Sequence, residues 1–338
     1  MFETSESNGV ILPGNTSLNL VLAYHHTSAD SERLKKYIDE CDIYIPELDG
    51  WTPDAQRALQ SISNGDAHLY QSLATQHRST GLNHKIGVPE QSISEETPIE
   101  MLVKNIFNSQ KKISIVDIPS KHPVTYDLHQ SFRIRFGQLY NPDFGKVLKT
   151  ISSNAQQEAI SQTNREKYIL GQIAPTIEAA IADDPELAQK DHLSVVMTMG
   201  AIHTTLHHSL LNDLRVTGTG YYRKTIEPGD EIFGHREELV RRYQFGLPVR
   251  KQLIARAFAD LDIMNNMQSH PAHGADLIRI VRSVSSQLTM PEIRALHESA
   301  VQRKDTAIIT KIGRLLELAH TVVMCTGPII LDSIVQAI

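Results

Sequence analysis

The sequence predicts an α/β fold, built on a mainly parallel sheet with helical insertions and an all-helical C-terminal segment. Three observations predict it. Leu18 to Glu47 reads as strand, helix, strand, and a helical crossover makes such strands parallel. Two further apolar runs, Lys112–Pro119 and Leu193–Met199, read as strands set among helical patterns. Beyond Gly234 only helical periodicity remains. The expected division is an α/β domain over residues 1–230 and a helical segment over 231–338.

Taken in order, residues 1–17 form a polar arm with a short strand at Val10-Ile11-Leu12. Residues 18–24 are almost wholly apolar, as in a strand buried on both faces. The next helix, from Ala29 to Glu40, places Leu34, Tyr37, Ile38 and Cys41 on one face, with Ser28 as its N-cap. The second strand covers 42–48, and Pro46 means that it ends there or sits at a sheet edge. Residues 53–110 read as mostly helical, with starts at Thr52-Pro53 and Thr97-Pro98. The third strand, 112–119, carries Asp117. Residues 126–150 are mixed, with a break at Asn141-Pro142, and a long helix from Asn154 to Asp183 carries Arg165. The fourth strand, 193–199, runs into Gly200-Ala201-Ile202-His203 and a helix to Leu214. Helical runs then follow at 236–243, 248–264, 273–288, 291–300, 304–323 and 328–337.

Composition excludes several classes of function. The chain is 41% hydrophobic and 21% charged, as in globular proteins, and its net charge of −6 gives no nucleic-acid footprint. Only two cysteines occur, Cys41 and Cys325, which argues against a disulfide scaffold and for a reducing, cytoplasmic setting. The first residues show no leader pattern, and no apolar run reaches the roughly 18 residues of a membrane span.

Parallel strands present their carboxyl ends to one rim, where open α/β sheets bind ligands. Four polar groups fall at predicted strand ends: His26, Glu47, Asp117 and His203. Ala23-Tyr24-His25-His26-Thr27 is echoed by Gly200-Ala201-Ile202-His203-Thr204, each followed by a helix. Any one of these residues reads as readily as a solvated or capping group. Together, imidazole and carboxylate form the ligand set of first-row divalent metals and the usual pair for acid–base work near neutral pH. His203 and His207 share a helix face, but Thr204 stands where a His-Glu-x-x-His helix carries its glutamate. Gly218-Thr219-Gly220 reads as a turn, His270 and His273 as loop residues, and Trp51 as a wall of the crevice or a core residue. No nucleophile elbow, Cys-x-x-Cys pair or phosphate loop is present.

A strand ending in small-x-x-His, a helix, a strand ending in Glu47-Leu48-Asp49, a middle strand ending in Asp117, Arg165 within Asn164-Arg165-Glu166, and a late Gly200-x-x-His203 follow one another here. Over about residues 18–214 this order resembles the TraB/PrgY and Tiki superfamily with its EreA/ChaN-like relatives. The sequence departs from that pattern in two places. Ala23 replaces the first glycine, which leaves His25 or His26 as the equivalent histidine. Gly50-Trp51 stand where the family carries an arginine, and Arg57 lies further on.

The resemblance implies hydrolysis of a peptide or ester bond, with a divalent metal (Mn, Co or Zn) on His26, Glu47 and His203, or direct activation of water by them. Arg165 would neutralise the developing oxyanion, and Asp117 would orient a ligand or share the metal. The alternative expectation is a non-catalytic binding or signalling module that holds a peptide or small molecule at the same rim. In either case the C-terminal helices are candidates for a homo-oligomer interface.

Overall fold

The computed structural model describes residues 10–23, 28–72, 98–123, 136–200, 203–216, 218–226, 234–266, 274–302, 311–312 and 314–315. The first half contains β1 (Val10–Ile11), β2 (Thr16–Ala23), α1 (Ser28–Glu40), β3 (Ile43–Ile45), α2 (Pro53–Ser63), α3 (Pro98–Ile106) and β4 (Lys112–Ile113). Next come α4 (Phe136–Leu139), α5 (Phe144–Ala182), α6 (Pro185–Ala188), β5 (Leu193–Gly200), α7 (Thr204–Asp213), β6 (Leu214–Arg215) and β7 (Tyr222–Ile226). The last described elements are α8 (His235–Gln244), α9 (Lys251–Asn266), α10 (Gly274–Ser286) and α11 (Met290–Gln302). The chain divides into two compact units, residues 1–126 with 162–227 and residues 127–161 with 228–338.

The first unit is organised by a five-stranded parallel sheet in the order β4-β3-β5-β2-β7. Its central strands are apolar on both faces, as parallel strands covered by helices must be. Leu18, Leu20 and Leu22 of β2, Ile43 and Ile45 of β3, and Val195, Met197 and Met199 of β5 face one core. Helix α5 meets that face with Ile169, Ile173, Ile177 and Ala180, the spacing of a single helical stripe. On the other face Val21, Tyr44 and Val196 pack against Leu34 and Ile38 of α1, Leu59 and Ile62 of α2, and Val103 and Ile106 of α3. The alternation is the period of two that a strand imposes.

The fold class agrees with the expectation, and element boundaries follow the same chemistry. Thr52 caps α2, its hydroxyl accepting the Ala55 N–H at 3.2 Å, with Pro53 in the first turn. Helix α5 begins ten residues before the expected start and carries Pro175 inside it. The 112–119 run pairs as a strand only at Lys112–Ile113, although the Ser114 N–H still bonds the Tyr44 carbonyl at 3.0 Å. Strand β7 was not expected: Tyr222-Arg223-Lys224-Thr225-Ile226 is a charged edge strand without an apolar signature. No described helix is long and apolar enough to cross a membrane.

The second unit is helical over its described residues. Phe258 of α9 is fully buried, edge-on to Phe144 at 5.8 Å and close to the His297 ring at 5.6 Å. Leu239, Val240, Ala255, Ala259, Ile280, Val284, Ile293 and Leu296 are buried with it. Of the two C-terminal runs expected at 304–323 and 328–337, all but residues 311–312 and 314–315 lies outside the described residues.

Candidate functional site

Three strand ends and one helix build the site. The register pairs Ala23 of β2 with Gly200 of β5, so these two strands end level with each other. Glu47 lies two residues past the end of β3, and Asp117 four past the end of β4. Helix α5 runs back toward the start of β5. Residues N-terminal to its apolar stripe therefore lie at the carboxyl-end rim. Arg165 sits one turn before Ile169 on that stripe, which brings its guanidinium to the strand ends.

Arg165 is the hub. Its Nε donates to Asp117 Oδ1 at 2.8 Å and its Nη2 to Asp117 Oδ2 at 2.5 Å, a two-pronged pair between buried groups. Nη2 also donates to Glu47 Oε1 at 2.9 Å. Asp117 further accepts the backbone N–H of Ile118 at 2.8 Å and of Leu48 at 3.2 Å. Burial opposes the charge on Arg165, but Glu47, Asp117 and Asp49 outweigh it and hold the guanidinium protonated.

His203, fully buried, stands between two carboxylates. Nδ1 is 3.0 Å from Glu166 Oε1 and Nε2 is 3.1 Å from Glu47 Oε1. Only an imidazolium can donate to both. Burial pulls the His203 pKa down and Arg165 opposes protonation as well, yet Glu47 and Glu166 together raise it to about 9. The 3.3 Å approach of Arg165 Nη1 to His203 Nε2 is then two cations flanking one carboxylate, not a hydrogen bond between them.

Glu47 is the most open member, with 20% of its side chain exposed against 6% or less for Arg165, Asp117, His203 and Glu166. Its Oε2 accepts the Gly200 N–H. A Cβ at position 200 would stand 3.1 Å from that oxygen, so the glycine of Gly200-x-x-His203 lets the carboxylate approach. Trp51 closes one side by donating Nε1–H to the Asp117 carbonyl at 2.6 Å. Tyr168, one turn beyond Arg165, lies with its ring 4.8 Å from that of His122 at a tilt of 54°, and burial with the nearby Asp117 charge raises its pKa.

Of the expected site residues, Glu47, Asp117, Arg165 and His203 meet in one network. His26 and its alternative His25 lie outside the described residues. Sequence reasoning missed Glu166, the second partner of His203. Consecutive helix residues point about 100° apart, so nothing in the local pattern marks Glu166 as a neighbour of Arg165's ligands. His207 stands apart from the network, with Nδ1 2.8 Å from Tyr222 Oη.

Among the described residues no group of three or more His, Cys, Asp and Glu side chains is arranged to hold a metal ion. Glu47 Oε1 and His203 Nε2, two of the three expected ligand atoms, already face each other and the Arg165 guanidinium. A cation bound there would share the site with that fixed charge, and the third expected ligand, His26, lies outside the described residues.

No protein-family model matches the chain, and neither a curated protein nor a solved structure matches it.

Proposed function

We propose that the rim hydrolyses a peptide or ester bond by direct acid–base chemistry, with Glu47 as base and His203 as acid. The observation that carries this reading is the pairing at 3.1 Å of a partly exposed carboxylate with a buried imidazolium. Glu47 would take a proton from water as its oxygen attacks the scissile carbonyl. Arg165, fixed by Asp117, would offset the oxyanion charge. His203 Nε2 would give its proton to the leaving nitrogen or oxygen, while Glu166 holds the ring through Nδ1. The order of these residues along the chain, which resembles the TraB/Tiki pattern, supports the same reading. That resemblance also implies a divalent metal, whereas the Glu47 carboxylate already flanked by the Arg165 guanidinium and His203 supports a route without one.

The test is a screen of peptide and ester libraries with the purified chain, before and after chelation. Glu47→Gln should lower turnover by roughly 10²- to 10⁴-fold and leave the circular dichroism spectrum unchanged. Intact peptide hydrolysis in both Glu47→Gln and His203→Ala would sink the proposal. Turnover that vanishes on chelation and returns with Mn, Co or Zn would favour the metal-bound form instead.

A second reading keeps the rim and drops the chemistry. The fully buried Asp117 carboxylate, held by an arginine fork and two backbone donors, favours a rigid binding platform. It predicts peptide binding without turnover, weakened by Glu47→Lys.

A further inference from the structure

A second cluster of polar side chains lies in the helical unit, remote in sequence from the rim residues. His235 opens α8, Asp260 lies on α9, and Ser285 and Ser286 end α10. His235 Nδ1 is 3.1 Å from both Asp260 carboxylate oxygens. The Asp260 carboxylate also accepts the His235 backbone N–H at 2.6 Å and the Ser285 hydroxyl at 2.5 Å. His235 and Asp260 are 4% exposed. On the far side of the ring, Ser286 Oγ is 3.2 Å from Nε2.

The Asp260 oxygens facing Nδ1 can only accept, so the His235 tautomer that pairs with them carries its proton on Nδ1. The bare Nε2 then accepts the Ser286 hydroxyl proton. This is the polarity of a serine nucleophile, a histidine base and an orienting aspartate, recognised by geometry rather than by sequence order. The three groups span 51 residues, so no short motif announces them. Arg256 supplies a neighbouring donor. Its Nη2 holds the Ser286 carbonyl at 2.5 Å, and its buried Nε–H has no partner among the described residues.

We propose that Ser286 is an acyl-accepting nucleophile activated by His235 and positioned by Asp260, and that its substrate is a small carboxylic ester. Ser286 Oγ bonds to the ester's acyl carbon as its proton passes to His235 Nε2. The ester C–O bond then breaks, and that proton leaves with the alcohol. Water, deprotonated by the same nitrogen, releases the acid and restores Ser286. An ester suits this site because an alkoxide leaves more readily than an amine.

The experiment is active-site titration of the full-length chain with a fluorophosphonate, in which Ser286 Oγ displaces fluoride at phosphorus, followed by peptide mapping. Stoichiometric label on Ser286 in the unaltered protein is the expected result, and it needs no variant. Ser286→Ala and His235→Gln should each lower the labelling rate by about 10²-fold or more, with helicity unchanged. Ser285→Ala should still be labelled. Asp260→Asn should lower kcat for p-nitrophenyl acetate by at least about 10²-fold with KM unchanged, a split that loss of packing alone would not produce. Lys35→Ala, an exposed change on α1, should label at the unaltered rate. An unlabelled protein, label on other residues, or a rate indifferent to His235→Gln would overturn the proposal and leave the cluster as a clasp between helix ends.

Discussion

Asp117 and Arg165, 48 residues apart, are joined by two parallel hydrogen bonds in a setting closed to solvent. Taking two charges out of water is expensive, and the pair is tolerated because both Asp117 oxygens and the Arg165 Nε and Nη2 find partners. Asp117 draws on two backbone N–H groups as well, and Arg165 on Glu47. The relationship ties the end of β4 to the middle of α5 and fixes the guanidinium that faces Glu47.

Removing one partner should therefore hurt more than removing both. Asp117→Ala leaves a buried guanidinium short of a carboxylate, and Arg165→Met leaves two carboxylates facing each other's charge. Each should destabilise the first unit by about 3–5 kcal/mol. The double variant should be less destabilised than the sum of the singles, with a coupling of about 1–3 kcal/mol in urea unfolding. Additive losses would mean that the fork contributes no pairwise stability.

His203 makes stability depend on pH with a definite sign. Its pKa rises from 6.5 to about 9 on folding, so the folded state holds the proton more tightly. Its contribution is complete below pH 6.5, shrinks as pH rises toward 9, and is gone above that. One such group changes stability by at most about 1.4 kcal/mol per pH unit in that window. His203→Gln should remove this slope. Urea midpoints measured from pH 6 to 10 for both proteins check it, and equal slopes would refute the assignment of an imidazolium. Turnover at the rim should fall over the same upper range, because the acid loses its proton.

How much of this was legible follows from the type of signal. Strands β2, β3 and β5 are apolar on both faces, and their helical crossovers require parallel pairing, so the common rim could be read directly. Glu47, Asp117 and His203 were legible only as a set, because each alone reads as a solvated or capping group while several such groups at strand ends of one parallel sheet share a rim. Arg165 needed the resemblance as well, since a helix offers many polar positions. Glu166 was hidden because its role depends on where the His203 ring lies, which only the tertiary structure sets. Strand β7 was hidden because an edge strand keeps charged residues such as Arg223 and Lys224 in water. The Ser286–His235–Asp260 arrangement was invisible for a related reason: two helix termini and the interior of a third helix converge without any sequence period linking them.

Cys41 offers a probe of the first unit. It is 1% exposed, and burial, partly offset by Lys111, raises its thiol pKa to about 12. Thiolate is the reactive form, so native Cys41 should be nearly inert at pH 8. With Cys325 changed to Ser, reaction with a disulfide reagent should be limited by opening of this unit. Its rate should rise in Asp117→Ala in step with the lost stability. Fast labelling in native buffer would show that α1 opens without global unfolding.

Gly200 provides the sharpest test of the rim's geometry. It lies at the end of β5 with no need for a left-handed backbone, so its value is the space it leaves. A methyl group there would stand 3.1 Å from Glu47 Oε2, the oxygen that accepts the Gly200 N–H. Gly200→Ala should cost only about 1–3 kcal/mol of stability, because the carboxylate can shift toward solvent. Turnover should fall much further, since a displacement well under one ångström moves the base away from its water. In a Glu47→Gln background the same substitution should add no further loss of turnover. Ala23, its register partner on β2, serves as the control. Ala23→Gly should lower stability by roughly 0.5–1 kcal/mol through strand entropy and leave turnover unchanged. Equal effects of the two substitutions on turnover would show that Gly200 matters to the strand and not to Glu47.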